Sequence, residues 1–196
     1  DTDKGIFFSS NSSEIIANRV VKYFYNTKIK KYEKTSENNG FRAHSGNGVN
    51  ITLQTFLNWS NKLDKNILLN SETKKSMWQP FQFNDKKSRF GYGWDFIKVN
   101  NKESYGFSGG NVSAYRKFEE SNMSIIVLSN GYKFFPVQDQ IINHIAGLVD
   151  KNLMDEYLLS NETIIYEFLQ KDNSNAEKEY HKIKSKNKEW NFENTL

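Results

Sequence analysis

A chain of 196 residues with 15% aromatic side chains is long enough to bury a core and too rich in rings to be disordered. Its formal net charge is only +4, and its lysines are interleaved with acids throughout, so no basic stripe with interleaved aromatics points to nucleic acid. The absence of cysteine excludes disulfides, thiolate metal sites and a cysteine nucleophile, and no run approaches the ~20 apolar residues needed to cross a bilayer.

Residues 1 to 18 are polar apart from Phe7-Phe8. No signal peptide is visible, and a first residue of Asp1 sets the expectation that the chain begins inside a longer gene product. Asn-x-Ser/Thr triplets such as Asn58-Trp59-Ser60 and Asn111-Val112-Ser113 are what so Asn-rich a chain yields by chance, so they are not read as glycan sites. Arg19 to Tyr25, β-branched and aromatic, predicts a strand, with Lys30 to Tyr32 pairing across a short turn. Thr35 to Asn50 reads as a loop punctuated by Gly40, Gly46 and Gly48. Thr52 is a helix N-cap, followed by Leu53, Phe56, Leu57 and Leu63 at helical spacing. Asn70 or Ser71 caps a second short helix through Met77 and Trp78, stopped by Pro80.

Phe90 to Val99 reads as a strand. Lys102 to Phe107, Val112 to Phe118 and Met123 to Leu128 follow at hairpin spacing. The continuous apolar run Ile125 to Leu128 predicts a central strand covered on both faces. Pro136 opens a helix that carries Val137, Ile141, Ile145, Leu148 and Val149 along one face and covers the sheet. After about Asp155 a moderately apolar helix leads into a Lys/Glu-rich tail. The expected fold class is α+β, an antiparallel sheet with flanking helices. The expected division is residues 1–155 as sheet and covering helices, and 156–196 as a helical, charge-rich extension.

Chemistry shows through at Gly106-Phe107-Ser108-Gly109-Gly110. As letters this is G-x-S-x-G, the nucleophile elbow of α/β-hydrolases with Ser108 as nucleophile. That motif needs a helix directly after the serine, whereas Val112 to Phe118 alternates like a strand. A glycine-rich strand end without catalytic role is the plain alternative.

Set in its surroundings, the segment carries a resemblance. Gly91-Tyr92-Gly93-Trp94, then Ser108-Gly109-Gly110, then Ile126-Val127-Leu128-Ser129-Asn130 resembles the C-terminal half of the serine β-lactamase-like superfamily. That group includes class C-type β-lactamases, penicillin-binding D-alanyl-D-alanine peptidases and related esterases. Upstream, Asn18-Arg19-Val20-Val21-Lys22-Tyr23 looks like the family's preceding strand. Gly46-Asn47-Gly48-Val49-Asn50-Ile51-Thr52, followed by Phe56-Leu57-Asn58-Trp59, looks like its glycine-rich turn and next helix. The resemblance spans roughly residues 1 to 150; order and spacing carry it, not any single motif.

The resemblance implies a partial β-lactamase/transpeptidase-like fold and an acyl-enzyme mechanism on a small-molecule amide or ester. It implies no cofactor, no metal and no nucleic-acid partner, a periplasmic or extracellular setting in a bacterial protein, and, as partner, an N-terminal half outside this chain. In the family, a Lys/His-Ser/Thr-Gly motif lies on a sheet-edge strand. Here Phe107, Ser108 and Gly109 take those positions, with Ser108 as substrate-binding hydroxyl and the Gly110 amide as candidate oxyanion donor. His44, in a glycine-rich loop near the same edge, is the further substrate-side candidate.

Two departures matter. Phe107 stands where the family has a cation, and phenylalanine neither donates a hydrogen bond nor carries charge. The Ser-x-x-Lys and Tyr-x-Asn motifs belong before this chain begins, so the chain alone is expected to be inactive. Ser71-Glu72-Thr73-Lys74 and Ser185-Lys186-Asn187-Lys188 match the first motif by letters. The former falls on an expected exposed helix and the latter in the charged tail. His144, on the Pro136 helix, reads as a core-edge residue, and no His/Asp/Glu set, His181 included, has metal-ligand spacing. A non-catalytic binding or regulatory relative is the alternative from another class.

Overall fold

The computed structural model describes residues 5–9, 11, 14–26, 28–34, 48–86, 88–109, 113–131, 137–154 and 178. Strands β1 (Ile6–Phe8) and β4 (Val49–Ile51) pair antiparallel, and β2 (Tyr23–Asn26) forms a hairpin with β3 (Lys31–Lys34). Helices α1 (Leu53–Asp64) and α2 (Ser71–Trp78) come next. The meander β5 (Asp95–Val99), β6 (Lys102–Gly109), β7 (Ser113–Phe118) and β8 (Met123–Leu128) follows, with spatial order equal to chain order. Helix α3 (Val137–Val149) and a short 3₁₀ turn at Lys151–Leu153 close the described fold. It is α+β, as the sequence predicts.

Both early helices start as their residues dictate. Thr52 Oγ1 accepts the amide of Thr55 at 3.1 Å, and Asn70 Oδ1 accepts that of Thr73 at 2.8 Å, each satisfying a donor that has no partner within its own helix. The meander turns on asparagines. Asn100 (φ 46°) and Asn101 (φ 62°) sit between β5 and β6, and Asn122 (φ 45°) before β8, a conformation that asparagine tolerates better than most residues.

The sheet is covered on both faces. Val99, Ala114, Phe118 and Ile125 pack with Ile142, Ala146 and Leu153 on the α3 side. On the other side Tyr115 packs with Phe56 and Leu63 of α1, Trp78 of α2, and Trp94. Alternation along β7 assigns the faces: Ala114, Arg116 and Phe118 look toward α3, Tyr115 and Lys117 toward α1.

Several expectations need correction. The strand expected over Arg19 to Tyr25 is β2, and it begins at Tyr23, not Arg19. Asn18 has φ 61°, the Arg19 amide closes a turn onto the Ile16 carbonyl, and its guanidinium bonds the Asn11 carbonyl at 2.7 Å; these residues are spent on a turn. Lys30 (φ 53°) belongs to the hairpin turn and not to β3. Phe90 to Val99 is not one strand: the Gly91 amide bonds the Trp94 carbonyl at 2.8 Å and Gly93 has φ 75°, so the chain bends and the strand starts at Asp95.

β8 is an outer strand of the four, not a central one. Its run is apolar because Ile125 and Val127 pack on the α3 side and Ile126 on the α1 side; beyond it, among the described residues, lies one isolated bridge from Gly131 to Tyr23. Helix α3 also faces otherwise than its apolar stripe predicts. Ile142, Ala146, Gln138 and Asp139 are buried, while Leu148 and Val149 are 62% and 69% exposed. The buried face carries Ile142 and Ala146 in the core together with Asp139, which pairs with Arg116. Pro136 and all of 156–196 except Lys178, an exposed helical residue, lie outside the described residues, as do Ser185, Lys188 and His181.

Candidate functional site

The site of interest is the C-terminal end of β6, from Tyr105 to Gly109. Its alternation with β7 is regular: Tyr105 opposes Lys117, Gly106 Arg116, Phe107 Tyr115, Ser108 Ala114 and Gly109 Ser113. Tyr105, Phe107 and Gly109 therefore share the α1/α2 face, and Gly106 and Ser108 the α3 face. Gly106 is required where it stands, because a Cβ there would come 2.0 Å from the Tyr115 carbonyl oxygen.

Phe107 roofs a stack of rings. Its centroid lies 5.5 Å from Tyr115 and 6.1 Å from Phe56, both stacked, and 5.6 Å from Trp94 edge-on. Trp59 stacks on Trp94 at 6.2 Å, and Trp78 on Tyr105 at 4.9 Å. These spacings suit attractive quadrupole geometry. Under the stack, Tyr115 Oη meets Ser60 Oγ at 3.0 Å. Burial pushes the Tyr115 phenol above its ordinary range, and burial with Glu103 nearby pushes Tyr105 up to about 12. Both are neutral hydroxyls at physiological pH.

On the opposite face lies a buried ionic row. Arg116, 0% exposed, meets Asp139 at 3.3 Å and Asp95 at 3.7 Å; Asp95 also meets Arg89 at 3.3 Å. The Arg116 guanidinium further donates to Ser104 Oγ at 3.3 Å. Burial raises the Asp95 carboxyl above its usual range even though Arg116 and Arg89 both pull it down. Desolvation outweighs two ion pairs there, as it does for many buried charges. Sequence reading missed this row. Its only trace is Arg116-Lys117 between Tyr115 and Phe118 in an alternating strand, and the partners lie 21 residues before and 23 residues after Arg116, beyond any local pattern.

The residues singled out from sequence divide into three groups. Phe107, Ser108 and Gly109 sit together at the end of β6; Ser108 is half-buried, and no hydrogen bond ties its hydroxyl among the described residues. Gly110 and His44 lie outside the described residues. Ser71 and Lys74 are not brought together as a nucleophile and its amine: Ser71 is exposed at the start of α2. Lys74 is buried, not exposed as expected, and its Nζ donates to the Leu63 carbonyl at 2.9 Å. The nucleophile-elbow reading of Ser108 is set aside, since Ser108 lies within a strand and the next element is the antiparallel strand β7, not a helix. His144 is half-buried on α3. Among the described residues no group of three His, Asp or Glu could hold a metal ion, and no helix is long and apolar enough to cross a membrane.

No model of a protein family and no curated protein matches this chain significantly. A solved structure does. The crystal structure of a penicillin binding protein from Bacillus halodurans is similar to 73% of this chain, with a TM-score of 0.57 at 15% identity. The fold is distantly penicillin-binding-protein-like. At that identity the likeness speaks for architecture alone, and the chain spans 44% of the length of that protein.

Proposed function

We propose that this chain is the sheet-bearing portion of a serine hydrolase of the β-lactamase and penicillin-binding-protein type, with the end of β6 as its substrate strand. The carrying observation is the distant fold likeness of 73% of this chain to a penicillin-binding protein, which agrees with the resemblance read from the sequence around Gly91 to Asn130. In this reading a serine outside the chain attacks an amide or ester carbonyl and the amine or alcohol leaves with a proton. Water then cleaves the acyl ester and restores the serine. Ser108, whose hydroxyl has no hydrogen-bond partner among the described residues, and the Gly110 amide are the proposed substrate-side groups; His44 is a further candidate on that side. The proposed setting is periplasmic or extracellular.

Labelling with a fluorescent penicillin and a fluorophosphonate, on this chain and on the full-length gene product, tests this. The expected result is a covalent label on the full-length product and none on the chain alone. A label on the chain alone would refute the claim that the nucleophile lies outside it. Phe107 favours a second reading, a non-catalytic relative that keeps a binding role, because an apolar ring stands where that chemistry uses a cation; absence of label on the full-length product supports it.

A further inference from the structure

We propose that the open face of the Phe107 ring is a platform for an uncharged aryl or alkyl group, so that this strand end selects neutral ligands over carboxylates. The assignment of this group to a substrate rests on the proposed function above; the binding preference itself is read without turnover.

Three observations carry it. Phe107 is 36% exposed, whereas Phe56, Trp94 and Tyr115 beneath it are at 7%, 6% and 0%. The ring is thus held against packed rings while about a third of the residue stays exposed, and a rigid ring loses little conformational freedom when a ligand covers it. The shelf continues along the strand. Gly109 shares this face, and among the described residues no atom lies within 4 Å of where its Cβ would be. Apolar surface beside bare backbone accepts a flat group lying along the strand.

Charge then decides the class of ligand. The sheet carries four cations, Lys98, Lys102, Arg116 and Lys117, and each already faces a carboxylate. Lys98 lies opposite Glu103 in register, Lys102 bonds Glu120, Arg116 pairs with Asp139 and Asp95, and Lys117 Nζ meets Asp64 at 2.9 Å. The Ser108 hydroxyl points to the other face. A carboxylate laid on Phe107 would surrender water and gain none of the four cations of the described sheet, whereas an uncharged group gives up less hydration.

Benzamide and benzoate, nearly isosteric and differing in charge, are the probes. Binding to the full chain is followed by saturation-transfer NMR and tryptophan fluorescence. Benzamide should bind about tenfold or more tightly than benzoate, a difference of one decade or more in Kd. Phe107→Leu, which keeps apolar packing and removes the ring face, should weaken benzamide several-fold, and Phe107→Lys should reverse the order of the two probes. Equal or tighter binding of benzoate to the unmodified chain, no binding of either, or a Phe107→Leu chain that holds benzamide unchanged would each overturn the proposal; the first two need no variant to fold. Penicillin labelling keeps the two readings apart. Benzamide preference with an unlabelled full-length product leaves the platform standing and removes the hydrolase. A labelled product without that preference does the reverse.

Discussion

Replacing Arg116 by methionine tests the buried ionic row. The guanidinium is 0% exposed and sits between Asp139 at 3.3 Å and Asp95 at 3.7 Å. Its loss leaves two buried carboxylates facing each other across an apolar side chain, with Arg89 the remaining cation near Asp95. Removing one partner of a buried pair typically costs about 3–5 kcal/mol, against a total stability of about 5–15 kcal/mol for a domain. With a urea slope of about 2 kcal/mol/M, the midpoint should fall by roughly 2 M. Buried Trp78 and Trp94 report the transition by fluorescence. The sign with pH follows from the carboxylates. Without Arg116 the Asp95 carboxyl, already raised by burial, loses a charge that pulls it down and rises further, and an acid raised on folding costs stability above that pKa and recovers it below. The penalty should therefore be largest at pH 7 and shrink toward about pH 4. The paired replacement Arg116→Met, Asp139→Leu should recover most of the loss, since Asp95 Oδ1, Arg116 Nε and Asp139 Oδ2 find no hydrogen-bond partner among the described residues even in the intact row. A single variant within 1 kcal/mol of the parent at pH 7, on the scale expected of a surface pair, or a penalty independent of pH, would refute this account.

Gly106→Ala would force a methyl against the Tyr115 carbonyl and should cost about 1–3 kcal/mol or more, visible as a lower urea midpoint; an unchanged midpoint would mean that β6 and β7 do not pair in this register. Thr52→Ala removes the cap of α1 and should cost about 1 kcal/mol, with chemical denaturation as the measure and Thr52→Ser as the control that restores it. Asp150 is held below its ordinary 3.8 by the Ser121 hydroxyl and the Asn152 amide. A lowered acid stabilises above its unfolded pKa and loses that contribution as pH falls through the folded one, so Asp150→Asn should flatten the stability curve below about pH 4. An acid limb identical to that of the parent would count against it.

The local chemistry of this fold was legible and its tertiary chemistry was not. Thr52 and Asn70 announce their helices because capping is decided within three residues. The hairpin spacing of β6, β7 and β8 is likewise a local signal. The rotation of α3 was misread because its apolar stripe points to Ile145, Leu148 and Val149, while the buried face carries Ile142 and Ala146, with Asp139 against Arg116. The bend at Gly91 to Trp94 was hidden by apolar letters that read as strand. At the site, Phe107 stood out by sequence as the odd residue. That it roofs Phe56, Trp94 and Tyr115 is visible only once helix, bend and strand have met.

The asparagine turns of the meander have a kinetic consequence. Because β5 to β8 pair in chain order, each strand finds its neighbour by closing a short loop, and Asn100, Asn101 and Asn122 already favour the backbone angles that closing requires. Hairpins of this kind form in about 1–10 μs, and short-range pairing costs little loop entropy. The end of β6 thus belongs to a ribbon held by local pairing. Arg116 lies on the face of that ribbon against which α3 packs.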